Sequence, residues 1–472
     1  MSDETTAARH AAARPFSAFD GWTRELAATF TLAWPLVIAQ LAQTALTTTD
    51  VIMLGWLGPQ ALAAGTLATT FLMPFMVGAV GIVGAVAPLA AQARGARNIK
   101  AVRRIVRQGF WAAILLATLL IPILLQIRTI FGWLGQDPTN ARLAEEYIHV
   151  GVWMLYPALM AVALRSLLSA FDSTRAILVI TVSGVFFNAA LNYVLIFGNY
   201  GFPRLELRGA ALATMITSFI MFAMMLGFVL RHRRFKRFNI LLRFWKPDWA
   251  RFREIFRIGT PIGLTVLAEV GLFTAAALLM GLLGTDEVAA HAVALQCASM
   301  AFMVPLGLGI AATVRVGLAY GRGDVDGITK AGWTGFALGT AFMLLSCIVF
   351  LLFAPNIVTI FLSPSDPANA NALALAATFL VIAGVFQLVD GAQVVAAHAL
   401  RGLSDTKIPM LLAIFGYWAV GLPVAYVLGF VLEWRGVGIW IGLAAGLAFV
   451  AVVLVARFAM RERLGLLDGL PR

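Results

Sequence analysis

Along most of this chain, apolar residues run for about 20 positions at a time before a short polar break, the length a helix needs to cross a hydrocarbon core. Twelve such runs recur, near 28–56, 61–85, 108–131, 145–168, 177–199, 209–230, 257–283, 288–313, 331–354, 371–399, 410–432 and 437–457. The alternation of a membrane β-barrel is absent, so the pattern predicts an all-α membrane protein of twelve transmembrane helices.

The runs divide into two related sets of six. At an offset of 226 residues, Pro35 falls on Pro261, Gly55 on Gly281, Leu57-Gly58 on Leu283-Gly284, Gly81 on Gly307 and Gly95 on Gly321. At an offset of 233, Gly151-Val152 falls on Gly384-Val385, Asp172 on Asp405 and Tyr193-Val194 on Tyr426-Val427. An even number of helices gives both halves the same orientation. The expectation is two pseudo-symmetric six-helix bundles related by an axis along the membrane normal, with sites within the halves and at their interface. The predicted boundaries are an N-terminal tail (1–26), an N-lobe (27–230), a basic linker (231–256), a C-lobe (257–458) and a C-terminal tail (459–472). Residues 1–26 are polar and Ala-rich, without the apolar core of a cleaved signal sequence, and PFSAFDGW reads as a short interfacial segment.

Charge fits this topology. A net charge of +12 suggests a polyanion partner at first sight. Yet all but five of the 35 Lys and Arg residues (Arg128, Arg142, Arg204, Arg208 and Arg435) fall on one side of the membrane. With both termini cytoplasmic this is the positive-inside asymmetry, and no nucleic acid is needed to explain it. The basic loop between Arg231 and Arg257 is placed to meet anionic headgroups of the bilayer. Cys297 and Cys347 lie in apolar runs and indicate neither a disulfide framework nor a metal cluster.

Against this background three carboxylates stand alone in apolar runs: Asp50, Glu269 and Asp390. An acid at bilayer depth costs a few kcal/mol on insertion scales and usually marks an ion, proton or substrate pathway. Asp50 follows Thr47, Thr48 and Thr49 toward the outer end of helix 1, about 9 Å of helix rise before Gly55-Trp56. Asn188 and Asn192 of helix 5 share one helix face and offer carboxamide oxygens to Na+ or to a neutral carboxylic acid. Glu269 and Asp390 lie nearer the middle of helices 7 and 10, where desolvation suits proton pickup and release. Unprotonated, they would hold a monovalent or organic cation, with Phe273 and Phe386, each one turn away, adding cation–π attraction. Gln387 and Gln393 flank Asp390 but read as lying on other faces. Pro35 and Pro261 occupy equivalent places in helices 1 and 7, and Pro35 is a candidate hinge. His291 and His398 read as packing residues. The acids break the repeat: Asp50 aligns with Ala276, Glu269 with Gln43 and Asp390 with Pro157. Packing is shared between halves and chemistry is not.

The stretches LAWPLVIAQLAQTALTTTDVIMLGWLGPQALAA, EVGLFTAAALLMGLLGTDEVAAH, CASMAFMVPLGLGIAATVRVG and FQLVDGAQVVAAHALRGLSDTKIP resemble the multidrug and toxic compound extrusion (MATE) family, especially its bacterial NorM branch. The resemblance implies two six-helix lobes around a central cavity, driven by a Na+ or H+ gradient. Carried over to this chain, it assigns Asp50, Asn188, Asn192 and Thr214 to a cation or proton site of the N-lobe. It makes Pro35 a proline that bends when the acid is protonated, and Glu269 with Asp390 a C-lobe pair linked to cation coupling. Two departures stand out. Ala289-Ala290-His291-Ala292 replaces the frequent Ala-Ala-His-Gln, and Asn192 stands where some branches carry Asp.

The resulting expectation is a cation-coupled (H+ or Na+) multidrug antiporter that exports organic cations across the inner membrane by alternating access. It would act as a monomer, with no cofactor beyond the coupling ion, and it would not be an enzyme. Na+ would sit at Asp50, Asn188 and Asn192 or at Glu269 and Asp390. The nearest rival is a flippase for lipid-linked or polysaccharide intermediates, which calls for a cationic cavity where these helices offer acids. A membrane-embedded enzyme would need a catalytic constellation that the sequence lacks, and a passive channel would not move substrate against its gradient.

Overall fold

The computed structural model describes residues 18–236, 238–242 and 244–470. The interfacial reading of PFSAFDGW and most of the predicted N-terminal tail lie outside them. Among the described residues there is no strand, and twelve helices are long and apolar enough to cross a membrane. They are α1 (Gly21–Leu57), α2 (Pro59–Gly95), α3 (Ile99–Leu124), α4 (Pro138–Ala170), α5 (Thr174–Phe197) and α6 (Glu206–Arg231), then α7 (Trp249–Leu283), α8 (Thr285–Arg322), α9 (Val325–Val358), α10 (Ala370–Gly402), α11 (Lys407–Val431) and α12 (Arg435–Ala459).

Several helices outrun the apolar segments that announced them. At about 1.5 Å per residue, the 38 residues of α8 are longer than a hydrocarbon core of about 30 Å. Backbone hydrogen bonding continues past the membrane boundary, whereas hydropathy registers only the lipid-facing part. The predicted linker 231–256 is revised for the same reason. α7 begins at Trp249, capped by the Asp248 side chain accepting from Arg251 N at 3.3 Å, and Arg233–Lys236 form one further helical turn.

The repeat is visible in the backbone. Gly58 (φ 134°, ψ 164°) joins α1 to α2, and its counterpart Gly284 (φ 149°, ψ 170°) joins α7 to α8. This conformation is essentially restricted to glycine, which is why Leu-Gly recurs at both corners. One core, with Phe110, Ile105, Leu164 and Leu168, fills the first half and reaches into α7 and α8 through Ile258, Ile262 and Leu308. A second, around Phe379, Phe386, Tyr417 and Trp440, fills the other half. Large apolar side chains such as Phe186, Leu282, Leu352 and Ile360 stand exposed, as lipid contact requires.

The halves meet through α1 with α8 and α2 with α7, and the contacts obey the pseudo-two-fold axis. A methyl placed on Gly81 would meet Gly263 Cα at 2.6 Å, and one on Gly307 would meet Val37 Cα at 2.9 Å. These two contacts are equivalent by the repeat. Gly95 and Gly321 close the axis at the end of the bundle that carries the basic loops. Around that end Gln92 Nε2 donates to Gly402 O (2.8 Å) and Ser404 Oγ (2.9 Å), and Arg315 pairs with Glu25. The halves are thus sealed at the basic end. Toward the other end, side chains of α1 and α7 such as Val51, Ile52 and Leu278 are exposed.

Candidate functional site

In the N-terminal half, α1 carries Asp50 against α5 and α6. Asn192 Nδ2 donates to Asp50 Oδ1 at 2.6 Å, and Thr214 Oγ1 donates to Oδ2 at 3.1 Å. The same Asn192 amide donates to Asn188 Oδ1 at 3.1 Å, as expected of residues four apart on one helix face. Asn188 and Asn192 are buried, while Asp50 and Thr214 are partly open. Among the described residues Asp50 forms no ion pair; both its oxygens are held by neutral donors. Asn192 Oδ1 and Asn188 Nδ2 are buried without partners, which leaves the cluster a spare acceptor for a proton or a cation. Thr47, Thr48 and Thr49, which lead up to Asp50 in sequence, turn their hydroxyls back onto carbonyls of their own helix. Tyr147 of α4 lies beside Thr214 and within the field of Asp50, a neighbour the sequence did not reveal. Pro35 is buried inside a helix that runs unbroken from Ala18 to Leu57.

In the C-terminal half, Glu269 of α7 accepts from Gln393 Nε2 at 3.1 Å, and Tyr417 OH donates to Gln393 Oε1 at 2.6 Å. This corrects the placing of Gln393 on another face. Three residues on a helix turn through about 300°, so Gln393 lies only about 60° from Asp390. Gln387, about 60° to the other side of Asp390, faces α9 instead and accepts from Ser346 Oγ at 2.7 Å. Tyr417 sits in a π-helical stretch of α11, Phe415–Gly421, a local widening often found at functional sites. Asp390 is buried and senses the charge of Glu269, and its Oδ1 has no hydrogen-bond partner. Two carboxylates so placed in a low-dielectric interior invite a proton or a cation.

The aromatic neighbours pack on one another. Phe386 is buried edge-on to Phe273 (6.1 Å between centroids) and to Trp440 (5.6 Å). Phe273 is partly open and Phe386 is not. His291 packs against Trp440, and His398 bonds Val394 O through Nδ1 and Arg401 through Nε2.

Cationic groups enter the bundle as well, against the expectation that its helices offer acids alone. Arg165 Nη2 of α4 donates to Gln40 Oε1 of α1 at 2.8 Å. Arg401 of α10 lines the same small pocket as Glu269, Gln393, Asp405, Thr406 and Tyr417. The sequence shows Arg401 eleven residues from Asp390. Only the rotation of α7, α10 and α11 about their axes turns it toward Glu269. Among the described residues no group of three or more His, Cys, Asp or Glu gathers as a metal site.

A twelve-helix bundle of two related halves, sealed at one end and carrying acids inside each half, is the architecture of a polytopic membrane transporter. The MatE family model matches residues 35–194 and 261–427, one match per half, and the chain belongs to this family. The two matches start 226 residues apart and end 233 apart, the same offsets that relate the halves in sequence. The chain is 47% identical over 440 residues to a protein of Brucella suis biovar 1 (strain 1330) named "Probable multidrug resistance protein NorM", covering 93% of both chains. It is 46% identical over 445 residues to a protein of the same name from Mesorhizobium japonicum, covering 94% of this chain and 95% of that one. A solved MATE transporter variant from Vibrio cholerae superposes with a TM-score of 0.86 over 95% of this chain and 99% of that chain, at 18% identity, a likeness of fold.

Proposed function

We propose that this transporter is a cation-coupled multidrug efflux antiporter, exporting organic cations across the inner membrane by alternating access in exchange for H+ or Na+. The observation that carries this reading is Asp50, a carboxylate held only by neutral donors and partly open. A charge left without a counter-ion has a cation to gain, and its neutralisation weakens the hold on a cationic drug. The positive-inside rule makes the basic end cytoplasmic, with both termini inside. The conformation is then sealed on the cytoplasmic side, as an outward-facing state requires. Glu269 and Asp390 form the second coupling or substrate site, Phe273 supplies its partly open aromatic face, and Pro35 lets α1 bend between states. The multidrug names of relatives at 47% and 46% identity point the same way. The flippase reading would rest on Arg165 and Arg401, which keep their charge on the neutral partners Gln40 and His398.

The test is drug efflux from proteoliposomes under an imposed Na+ gradient and, separately, an imposed pH gradient. Asp50→Asn, Glu269→Gln and Asp390→Asn proteins should reach the membrane in normal amounts and lose gradient-driven efflux. Wild-type transport by all three would sink the assignment.

A further inference from the structure

The pocket beneath Glu269 raises a problem for any coupled transporter. Its lining steps from Glu269 and Gln393 at bilayer depth, past Arg401, to Asp405 and Thr406 in the connection between α10 and α11. Gln393 and Arg401 are eight residues apart on one helix, about 12 Å of rise. The space admits at least one water, and its walls offer carboxyl, amide, phenol and hydroxyl groups to hold it. A narrow column, whose walls also include Val394, Ala397, Pro409, Ala413 and Leu454, therefore reaches inside the C-lobe from an acid of the transport site toward the cytoplasmic end. If ions passed along it, Glu269 would exchange with both sides of the membrane at once and the gradient would be dissipated.

We propose that Arg401 is the electrostatic barrier that closes this column, so that Glu269 exchanges its coupling cation with the outer side alone in this conformation. This rests on the reading of Glu269 as a coupling acid. Arg401 stands between Glu269 and the floor of the column. Its Nη1 donates to His398 Nε2 at 3.1 Å, one turn up α10, which draws the guanidinium toward the acid. It forms no ion pair among the described residues. The acid nearest in sequence, Asp405, is already taken by Arg457, whose Nε and Nη2 lie 2.6 and 3.2 Å from its two oxygens. The charged and titratable groups around Arg401 are thus Glu269 from α7, Asp390 and His398 from α10, Tyr417 from α11, and the neutralised Asp405–Arg457 pair. A guanidinium with no carboxylate paired to it at contact distance, in a narrow, low-dielectric passage, repels Na+ and hydrated protons, because low-dielectric walls focus the field of a single charge. The repeat places Leu168 at the position equivalent to Arg401, so the barrier belongs to the C-lobe alone.

The experiment is ion flux without drug, in proteoliposomes of the full chain loaded with a pH- or Na+-sensitive dye and given an imposed gradient. Arg401→Gln should conduct about tenfold faster than wild type, whereas Arg401→Lys, which keeps the charge, should stay tight. Thr406→Glu, which sets a carboxylate on the column floor to neutralise Arg401, should leak like Arg401→Gln. It also decides the matter if Arg401→Gln does not fold. The double variant Arg401→Gln with Glu269→Gln should return to the wild-type baseline if the leak passes through the acid. Tight membranes with Arg401→Gln or with folded Thr406→Glu overturn the barrier, and so does a leak that persists in the double variant. Glu269→Gln alone separates the two ideas: normal coupled efflux in that variant defeats the reading of Glu269 as a coupling acid, whatever the leak assays return.

Discussion

At Asp50 the identity of the coupling ion can be read from a single hydroxyl. Thr214→Val removes the donor to Asp50 Oδ2 at nearly constant volume. A hydrogen bond to a charged group contributes about 1.5–3 kcal/mol, and each 1.4 kcal/mol is about a factor of ten in affinity. If the site takes Na+, the variant loses a ligand and half-maximal efflux needs about tenfold more Na+. If it takes H+, a less well held carboxylate keeps its proton more readily, and half-maximal efflux moves to higher pH. Efflux measured across Na+ and pH series should show one shift or the other, and an unmoved midpoint in both would remove Thr214 from the site. Residue-level chemistry was legible where one helix carries it: a lone acid in an apolar run, or Asn188 and Asn192 on one face. Gln393, Tyr417, Arg401 and Tyr147 were not, because their roles depend on how separate helices are rotated against one another. For Tyr417 they also depend on a π-helical turn that no apolar pattern marks.

The twelve spans and their duplication were legible because lipid imposes a hydropathy rule on every helix and the repeat preserved the glycines at its corners and contacts. Helix ends were not, since α1, α7 and α8 run on beyond the bilayer in polar sequence. The corners carry a prediction at this scale. Gly284 sits at φ 149° with an open side except toward Glu287, whose Oε2 would lie 2.8 Å from an added Cβ. Gly58 has the same kind of backbone, φ 134°, with nothing near. Alanine at either corner should cost about 1–3 kcal/mol of backbone strain. Thermal unfolding in detergent should place both variants below wild type, with Gly284→Ala at least as low as Gly58→Ala. Unchanged midpoints would mean that the corners relax to another conformation.

For the whole molecule, the question is what holds the two halves shut at the basic end. The glycine contacts are symmetric, but the polar ones are not. Arg315 donates to both carboxylate oxygens of Glu25, at 2.8 and 2.5 Å, and the repeat puts Leu89 and Arg251 at the equivalent places. One side of the seal therefore carries a bidentate ion pair across the halves that the other side lacks. It is largely shielded, with side-chain exposures of 21% for Arg315 and 12% for Glu25. Removing one partner of such a pair leaves a charge stranded, at a cost of up to about 3–5 kcal/mol when fully buried. That cost falls on the sealed state alone, because opening the basic end returns Arg315 to water. Glu25→Gln should thus shift the population toward a form open at the basic end, by about tenfold for each 1.4 kcal/mol. Spin labels at Ile99→Cys and Val325→Cys, exposed and equivalent at the starts of α3 and α9, would report the gap by distance distributions in a background without native cysteines. Wild type should give one short-distance population, Glu25→Gln a second and longer one, and the exchange Glu25→Arg with Arg315→Glu should restore the first. A distribution that Glu25→Gln leaves unmoved would assign the seal to the glycine contacts instead.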